Sequence, residues 1–519
     1  MKITTYIFAF TALLGGFASC IDDESVYGGI EIPQLSIEET NAEGMTVVNF
    51  NLGEQCLIHP NIQYTGASEA ALQYEWSIGT YGDGVKGELV VVSNERDLSY
   101  LFQQGGTYYA HLTVTDGKVG IVKEYQVNIN RTFEEGYMLV SNDANGNGNL
   151  VFIKTMTPEE IASGTEQVRI ENCLSIMNEG VAGSRLVDAD VIKTTVMGAN
   201  GRYSATRVML IAEDKCYFLE PNTFTISTEI DYSEIYSGFK ATSYISGYYP
   251  YVQDGTSGKY VHFDTQYLFG YESGSMVGNS FDYIFSYPYY MWGGTYSNVY
   301  YITHAPKPSI SLDNAYYSYG MSPDQFITKE FGDEDVLVAF PSAEMDYSIY
   351  AYHNYAITQS GDGKLHFYEF TVNYDFSDDY SSVDCSLVPS IYAEMELTAD
   401  PAIPVKDVPW TVSATYDRYY YPLDNAVYVH LLDGNYYIPD RSEAALRFDN
   451  EEVTYVKVSD DDATKLLVAT CDKTSGRGNF YIYDVKDVRT DNPNPQPLSA
   501  FRNCADRIVK IVYKTTISQ

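Results

Sequence analysis

Positive charge is scarce in this sequence: 32 Lys and Arg stand against 70 Asp and Glu, for a formal net charge of −38 and a pI near 4.3. Such a field repels phosphate backbones and anionic bilayers, which argues against nucleic-acid binding. Cysteine is sparse too. The seven residues Cys20, Cys56, Cys173, Cys216, Cys385, Cys471 and Cys504 show no paired short spacing, so neither a zinc finger nor a disulfide scaffold is encoded. The last six read as buried free thiols, with one or two disulfides as the alternative. The seven histidines stand apart, and no G-x-S-x-G elbow, P-loop or H-E-x-x-H occurs, so no catalytic motif is legible. Convincing helical periodicity is missing after Gly136. Long apolar runs are missing as well, except for Ile3 to Phe17, which is too short to span a bilayer comfortably.

What is present begins with that run. Preceded by Lys2, it makes residues 1–19 a signal peptide. It closes on Phe17-Ala18-Ser19-Cys20, which resembles the bacterial lipobox, with Phe17 in place of the usual aliphatic residue. The resemblance implies lipidation of Cys20, whose acyl chains would hold the protein stably at a membrane, each buried methylene adding about 0.8 kcal/mol. An ordinary signal peptide cut near Ala18 is the other reading. Residues 20–34 read as an acidic lipoprotein tether. Its Ile21-Asp22-Asp23-Glu24-Ser25 resembles the surface-export signal of Bacteroidota lipoproteins, which implies an outer-membrane protein facing the cell exterior.

Residues 35–131 alternate in short strands. In Tyr109 to Thr115, Ala110, Leu112 and Val114 face one way and His111, Thr113 and Thr115 the other; Tyr125, Val127 and Ile129 repeat the pattern. A period of two broken by turn residues predicts an antiparallel sandwich. Tyr74-Glu75-Trp76-Ser77, Gly105-Gly106-Thr107-Tyr108-Tyr109 and Leu112-Thr113-Val114-Thr115-Asp116-Gly117 resemble a PKD-type immunoglobulin-like domain, although Gly82-Asp83-Gly84 lies farther behind the tryptophan than usual. Gly82 to Gly87 also satisfies GxGxxG. The segment behind it, Glu88 to Val92, reads as a strand and not the helix that a dinucleotide needs.

Residues 136–519 repeat an apolar strand, a polar turn and an aromatic-rich strand. The copies run Tyr137 to Ile153, Val208 to Leu219, Tyr249 to Phe263, Tyr283 to Ile302, Tyr355 to Tyr368, Val427 to Ile438 and Leu466 to Tyr483. The expected fold class is therefore all-β: an N-terminal PKD/Ig-like β-sandwich followed by a β-propeller of about seven blades. Two or three consecutive sandwiches are the alternative.

Together these features resemble the PKD-like family lipoproteins of Bacteroidota, of the kind encoded beside SusC/SusD-like uptake systems. The resemblance implies a non-catalytic accessory or binding subunit of a SusC/SusD-like complex that captures glycan or peptide. A propeller-type hydrolase and an adhesin or architectural surface protein are the alternatives, since paired acids for glycoside hydrolysis need only spatial proximity.

Tyrosine is abundant, at 50 of 519 residues, and clusters at Tyr248-Tyr249, Tyr316-Tyr317 and Tyr419-Tyr420-Tyr421. Tyr287, Tyr289, Tyr290 and Trp292 form the candidate ligand-binding set, because Pro288 and Gly293-Gly294 suggest a loop and aromatic faces stack on sugars or side chains. Asp143, Asn145 and Asn147 match the first half of a calcium loop, but its twelfth position is Lys154, so a hairpin turn is the stronger expectation and no cofactor is assigned. Asp333-Glu334-Asp335 and Asp460-Asp461-Asp462 read as solvated loops.

Overall fold

The computed structural model describes residues 33–515 except 39–45, 52–54, 67, 83–84, 103–104, 131–132, 134, 164–166, 179–180, 182–183, 199–200, 247–249, 258, 265–268, 273–282, 292–293, 304–308, 314–326, 331–333, 347–350, 377–382, 406–408, 414 and 433–435. The described parts of 264–330, 341–352 and 372–390, and a few positions elsewhere, are described by their backbone alone. The segment expected to be a signal peptide, Cys20 and nearly all of the expected tether lie outside the described residues. Among the described residues no helix is long and apolar enough to cross a membrane.

The chain folds as two compact units, one formed from most of the chain up to Asn128 and one from Ile129 onward. In the first, the main sheet runs in the order Thr46–Asn51, Gly120–Asn130, Gly106–Thr115, Gln73–Gly82, with Val85–Lys86 and Val90–Ser93 both on its far edge. Two small sheets complete the unit: Leu35–Ile37 with Ile62–Tyr64, and Gln55–Ile58 with Leu98–Leu101. The two-residue alternation does what it must, since Ala110, Leu112, Val114 and Val127 are fully buried. Trp76 is fully buried beside Tyr125, its ring centroid 5.4 Å away, and its indole N–H donates to the Arg96 carbonyl at 3.3 Å. The segment behind the GxGxxG match contains the strand Val90–Ser93, so no helix N-terminus is there to receive a pyrophosphate.

The second unit contains seven four-stranded antiparallel sheets among the described residues. Six are contiguous in sequence, spanning 186–231, 243–272, 283–330, 335–394, 411–447 and 451–505. The remaining sheet takes Gly136–Asn142, Gly148–Lys154 and Arg169–Ile170 from the start of the unit and Arg507–Lys514 from its end. The first strands of successive sheets adjoin all the way round. Arg507–Lys514 neighbours Leu186–Gly198, then come Ser243–Ile245, Tyr283–Met291, Asp335–Asp346, Thr411–Ser413 and Glu451–Val458, which returns to Arg507–Lys514. This is a seven-bladed propeller, numbered here from the blade that holds both ends of the unit.

Apolar faces of neighbouring blades pack against each other, as where Leu139, Val151 and Ile508 of blade 1 meet Leu467, Phe480 and Ile482 of blade 7. Polar stitches accompany the packing. Buried Asn142 of blade 1 donates its amide to the Leu186 carbonyl at 2.9 Å and accepts the Leu186 N–H at 2.8 Å, tying blade 1 to blade 2. Across the blade 1–blade 7 seam, Arg507 makes a bidentate pair with Glu452 at 2.8 and 2.7 Å, and Arg477 reaches Asp506 at 2.8 Å and Glu171 at 2.7 Å.

Five of the hairpins expected from sequence are the middle strands of their blades, Tyr283 to Ile302 pairs the first strand of blade 4 with its second, and the remaining one is corrected. Ala426–Leu431 pairs with Arg418–Leu423 and not with Tyr436 to Ile438, where Tyr437 makes only an isolated parallel bridge to Glu396. Tyr419, Tyr420 and Tyr421 are therefore core residues, all but fully buried, with Tyr419 stacked on Phe340 at 4.5 Å and the Tyr421 hydroxyl donating to the Ala402 carbonyl at 2.7 Å.

Candidate functional site in the ring passage

The first strand of each blade is an edge strand facing the axis, so alternate side chains from it meet in the passage. On the wall formed by blades 7, 1, 2 and 3 a group of charged and hydroxylated side chains meets. Lys510 Nζ of blade 1 lies 2.6 Å from Asp188 Oδ1 of blade 2. Two residues on, Asp190 Oδ2 accepts the Tyr244 hydroxyl of blade 3 at 2.8 Å and the Ser246 hydroxyl at 2.7 Å. Lys457 of blade 7 stands beside Lys510 and pairs with Asp460 at 2.5 Å. Asp188 and Lys510 lie deep inside the ring, yet 17% and 20% of their side-chain surfaces meet solvent, as expected for groups on the wall of a water-filled channel.

Burial sets the electrostatics. It pushes the Asp188 carboxyl above its usual value, against the pull of Lys510. Burial works against the Lys510 ammonium as well, but Asp188, Tyr455 and Asp190 outweigh it and hold the group charged. Burial, reinforced by Asp190, carries the Tyr244 phenol well above its ordinary range, so it serves as a hydrogen-bond donor at physiological pH. The wall is thus a fixed array of two carboxylates, two ammonium groups and their hydroxyl partners.

The residues singled out from sequence lie elsewhere. Cys20 and Trp292 are outside the described residues. Tyr287, Tyr289 and Tyr290 are not on a loop: they fall within the strand Tyr283–Met291, in register with Asn298, Tyr296 and Thr295. Pro288 is accommodated because this is an edge strand, which has a side without a ladder where a missing N–H costs nothing. Asp143 caps a hairpin turn, Oδ1 accepting the backbone N–H groups of Asn145 and Asn147 at 2.8 Å each and Oδ2 the Asn147 amide at 2.9 Å. Among the described residues no three His, Cys, Asp or Glu side chains gather as a metal site. Cys173, Cys216, Cys471 and Cys504 are buried free thiols, and Cys56 is buried as well.

Glu334, expected in a solvated loop, is the hub of a blade 5 network. Its carboxylate accepts the Thr358 hydroxyl at 2.5 Å and the Tyr368 and Tyr392 hydroxyls at 3.4 Å each, and His366 Nδ1 sits 2.9 Å away, off the line of a ring N–H. Blade 7 repeats the device: Glu451 accepts the Thr470 hydroxyl and the Tyr481 hydroxyl, the latter at 3.1 Å. In both blades a glutamate at the head of the first strand anchors a threonine on the second and a tyrosine on the third, which marks the device as architectural.

Sequence reasoning missed Asp188, Asp190, Lys457 and Lys510. One signal was available. In a chain with so few basic residues, Lys510 interrupts the apolar run Ile508-Val509-Lys510-Ile511-Val512, where a charge must find a partner.

Comparison with protein families and with curated proteins finds no match. Among solved structures, the chain is similar to a quinonprotein alcohol dehydrogenase-like protein from Bacteroides thetaiotaomicron, at 13% identity and a TM-score of 0.43, over 93% of this chain and 99% of that one. It is also similar to the extracellular domain of a protein from the same organism described as a one-component system, at 10% identity and a TM-score of 0.31, over 74% of this chain and 45% of that one. A Synechocystis apocarotenoid oxygenase mutant matches at 12% identity and a TM-score of 0.25, over 84% of this chain and 93% of that one.

Proposed function

We propose that this protein is a lipid-anchored, outward-facing outer-membrane subunit of a SusC/SusD-like uptake system, in which the propeller captures a polar nutrient and performs no chemistry on it. The observation that carries the binding role is the Asp188–Lys510 and Asp190–Tyr244–Ser246 array, held by first strands of adjoining blades and reached by solvent deep in the ring. Groups fixed in this way by rigid strands are organised before a ligand arrives, which lowers the entropic cost of binding. The anchor and the partner rest on the resemblance of Phe17-Ala18-Ser19-Cys20 and the acids behind it to surface lipoproteins. Affinity purification from native outer membrane tests this: recovery of a SusC/SusD-like pair supports it, and a lone monodisperse protein overturns it.

One observation favours a propeller hydrolase as a second reading. Asp188, its carboxyl raised by burial, lies two residues from the hydrogen-bonded Asp190 on one strand, and a carboxyl that keeps its proton is what general acid catalysis uses. Product formed from a glycan or peptide panel, and abolished in Asp190→Asn, would favour that reading over simple capture.

A further inference from the structure

Asp188 and Lys510 leave part of their hydrogen-bonding capacity unspent. The Lys510 ammonium carries three protons. It stands 2.6 Å from Asp188 Oδ1 in an ion pair, and no other acceptor among the described residues takes its protons. Asp188 Oδ1 also accepts the Ala189 N–H at 2.7 Å, while Oδ2 accepts from no group among the described residues. Asp190 is the contrast. Its Oδ1 accepts the Val191 N–H at 2.7 Å and its Oδ2 the two hydroxyls of blade 3, so its capacity goes to holding the wall.

Among the described residues the pair therefore presents an open carboxylate oxygen and open ammonium protons side by side, on a surface that solvent reaches. The charges select the ligand. A cationic ligand meets Lys510 and Lys457, and an anionic one meets Asp188 and Asp190, so a neutral ligand with a donor and an acceptor on adjacent atoms is favoured. The two oxygens of a vicinal diol meet this requirement, because each hydroxyl both donates and accepts and the two lie about one hydrogen-bond length apart.

We infer that the Asp188–Lys510 pair is a carbohydrate subsite, in which one hydroxyl of a vicinal diol donates to Asp188 Oδ2 and its neighbour accepts from Lys510 Nζ. This rests on the reading of the ring passage as the place of capture and adds the chemical class of what is captured.

The test is calorimetric titration of the purified full-length protein with neutral gluco-, manno-, galacto- and xylo-oligosaccharides and with uncharged peptides of matched size. At least one oligosaccharide should saturate. Its affinity should fall about tenfold or more in Asp188→Asn and in Lys510→Gln, as for loss of a hydrogen bond to a charged group. Each single variant leaves a charge unpaired and can lose its fold, so the double variant Asp188→Asn/Lys510→Gln, which buries no charge, is measured beside them. A deoxygenated form of the same sugar, titrated against the unaltered protein, should show the same loss without any mutation. Peptide binding that depends on the pair, with no sugar binding, would overturn the diol and leave capture in the passage standing. Sugar binding unchanged in the double variant, or binding of no oligosaccharide, would also overturn the inference. Co-purification with a transporter decides the broader reading separately.

Discussion

Lys510 Nζ lies 2.6 Å from Asp188 Oδ1, joining the strand that closes the propeller to the first strand of the next blade. The contact is at once a structural clasp at the end of the chain and the centre of the candidate site.

Replacing Lys510 with Met should destabilise the ring by roughly 3 kcal/mol, the low end for a broken buried pair because about a fifth of each side chain meets solvent. Asp188 in the fold holds its proton more tightly than in the unfolded chain, so its ionised form costs stability and protonation removes that cost. The deficit should therefore be largest at neutral pH and shrink as the pH falls through the raised carboxyl's range. Urea unfolding as a function of pH reads this directly; a deficit that grows on acidification would contradict it.

The blade 7 staple predicts an alkaline limit. The Tyr481 phenol is pushed up to about 12, first by burial and then by Glu451. A raised folded value means that this stabilisation is complete below the ordinary phenol value and is lost as the pH rises through about 12. Tyr481→Phe should cost about 1 kcal/mol at neutral pH, the net worth of a hydrogen bond, and the cost should disappear at the alkaline end. Phenolate absorbance followed with circular dichroism should show Tyr481 ionising only as the blade opens.

In the first unit Asp116 works in the opposite sense. The Tyr64 hydroxyl, donating at 2.6 Å, and the N–H groups of Val119 and Lys118, at 2.8 Å each, lower its carboxyl to about 2. Its contribution is present above the ordinary aspartate value and is lost as the pH falls through about 2. Asp116→Asn should be less stable than the parent at neutral pH and indistinguishable from it in strong acid, by thermal melts across that range.

Removing the chain after Asp506 deletes the first strand of blade 1 together with Ile508 and Ile511, which are buried, and exposes the edge of Gly136–Asn142 that it pairs with. The ring should lose its cooperative calorimetric transition, and the opened blades should associate through their unpaired edges. A truncated chain that melts like the parent would show that the closing strand is dispensable.

Much of the fold was legible because its signals are local. The inward positions Ala110, Leu112, Val114 and Val127 follow from a period of two, and most of the blade hairpins follow from neighbouring strands with a short polar turn. Where Tyr436 to Ile438 looked like a strand it was a connection with Ile438 fully buried, because an apolar aromatic triplet suits a packed segment as well as a ladder. The loop reading of Tyr287 to Tyr290 failed in a similar way, since a proline breaks a central strand but not an edge strand.

By itself the sequence determined an all-β chain with a sandwich-type first unit and six of the seven hairpins it offered, together with the acidity that disfavours polyanionic partners. Only the tertiary structure decided which strand closes the ring, which tyrosines are core, and that Asp188, Asp190, Lys457 and Lys510 share one wall. The physical reason is distance along the chain. Alternation and turn chemistry act over a few residues and leave their mark in the sequence, whereas ring closure joins the beginning and end of the second unit. The charges it gathers carry no local pattern beyond a lysine set among apolar neighbours.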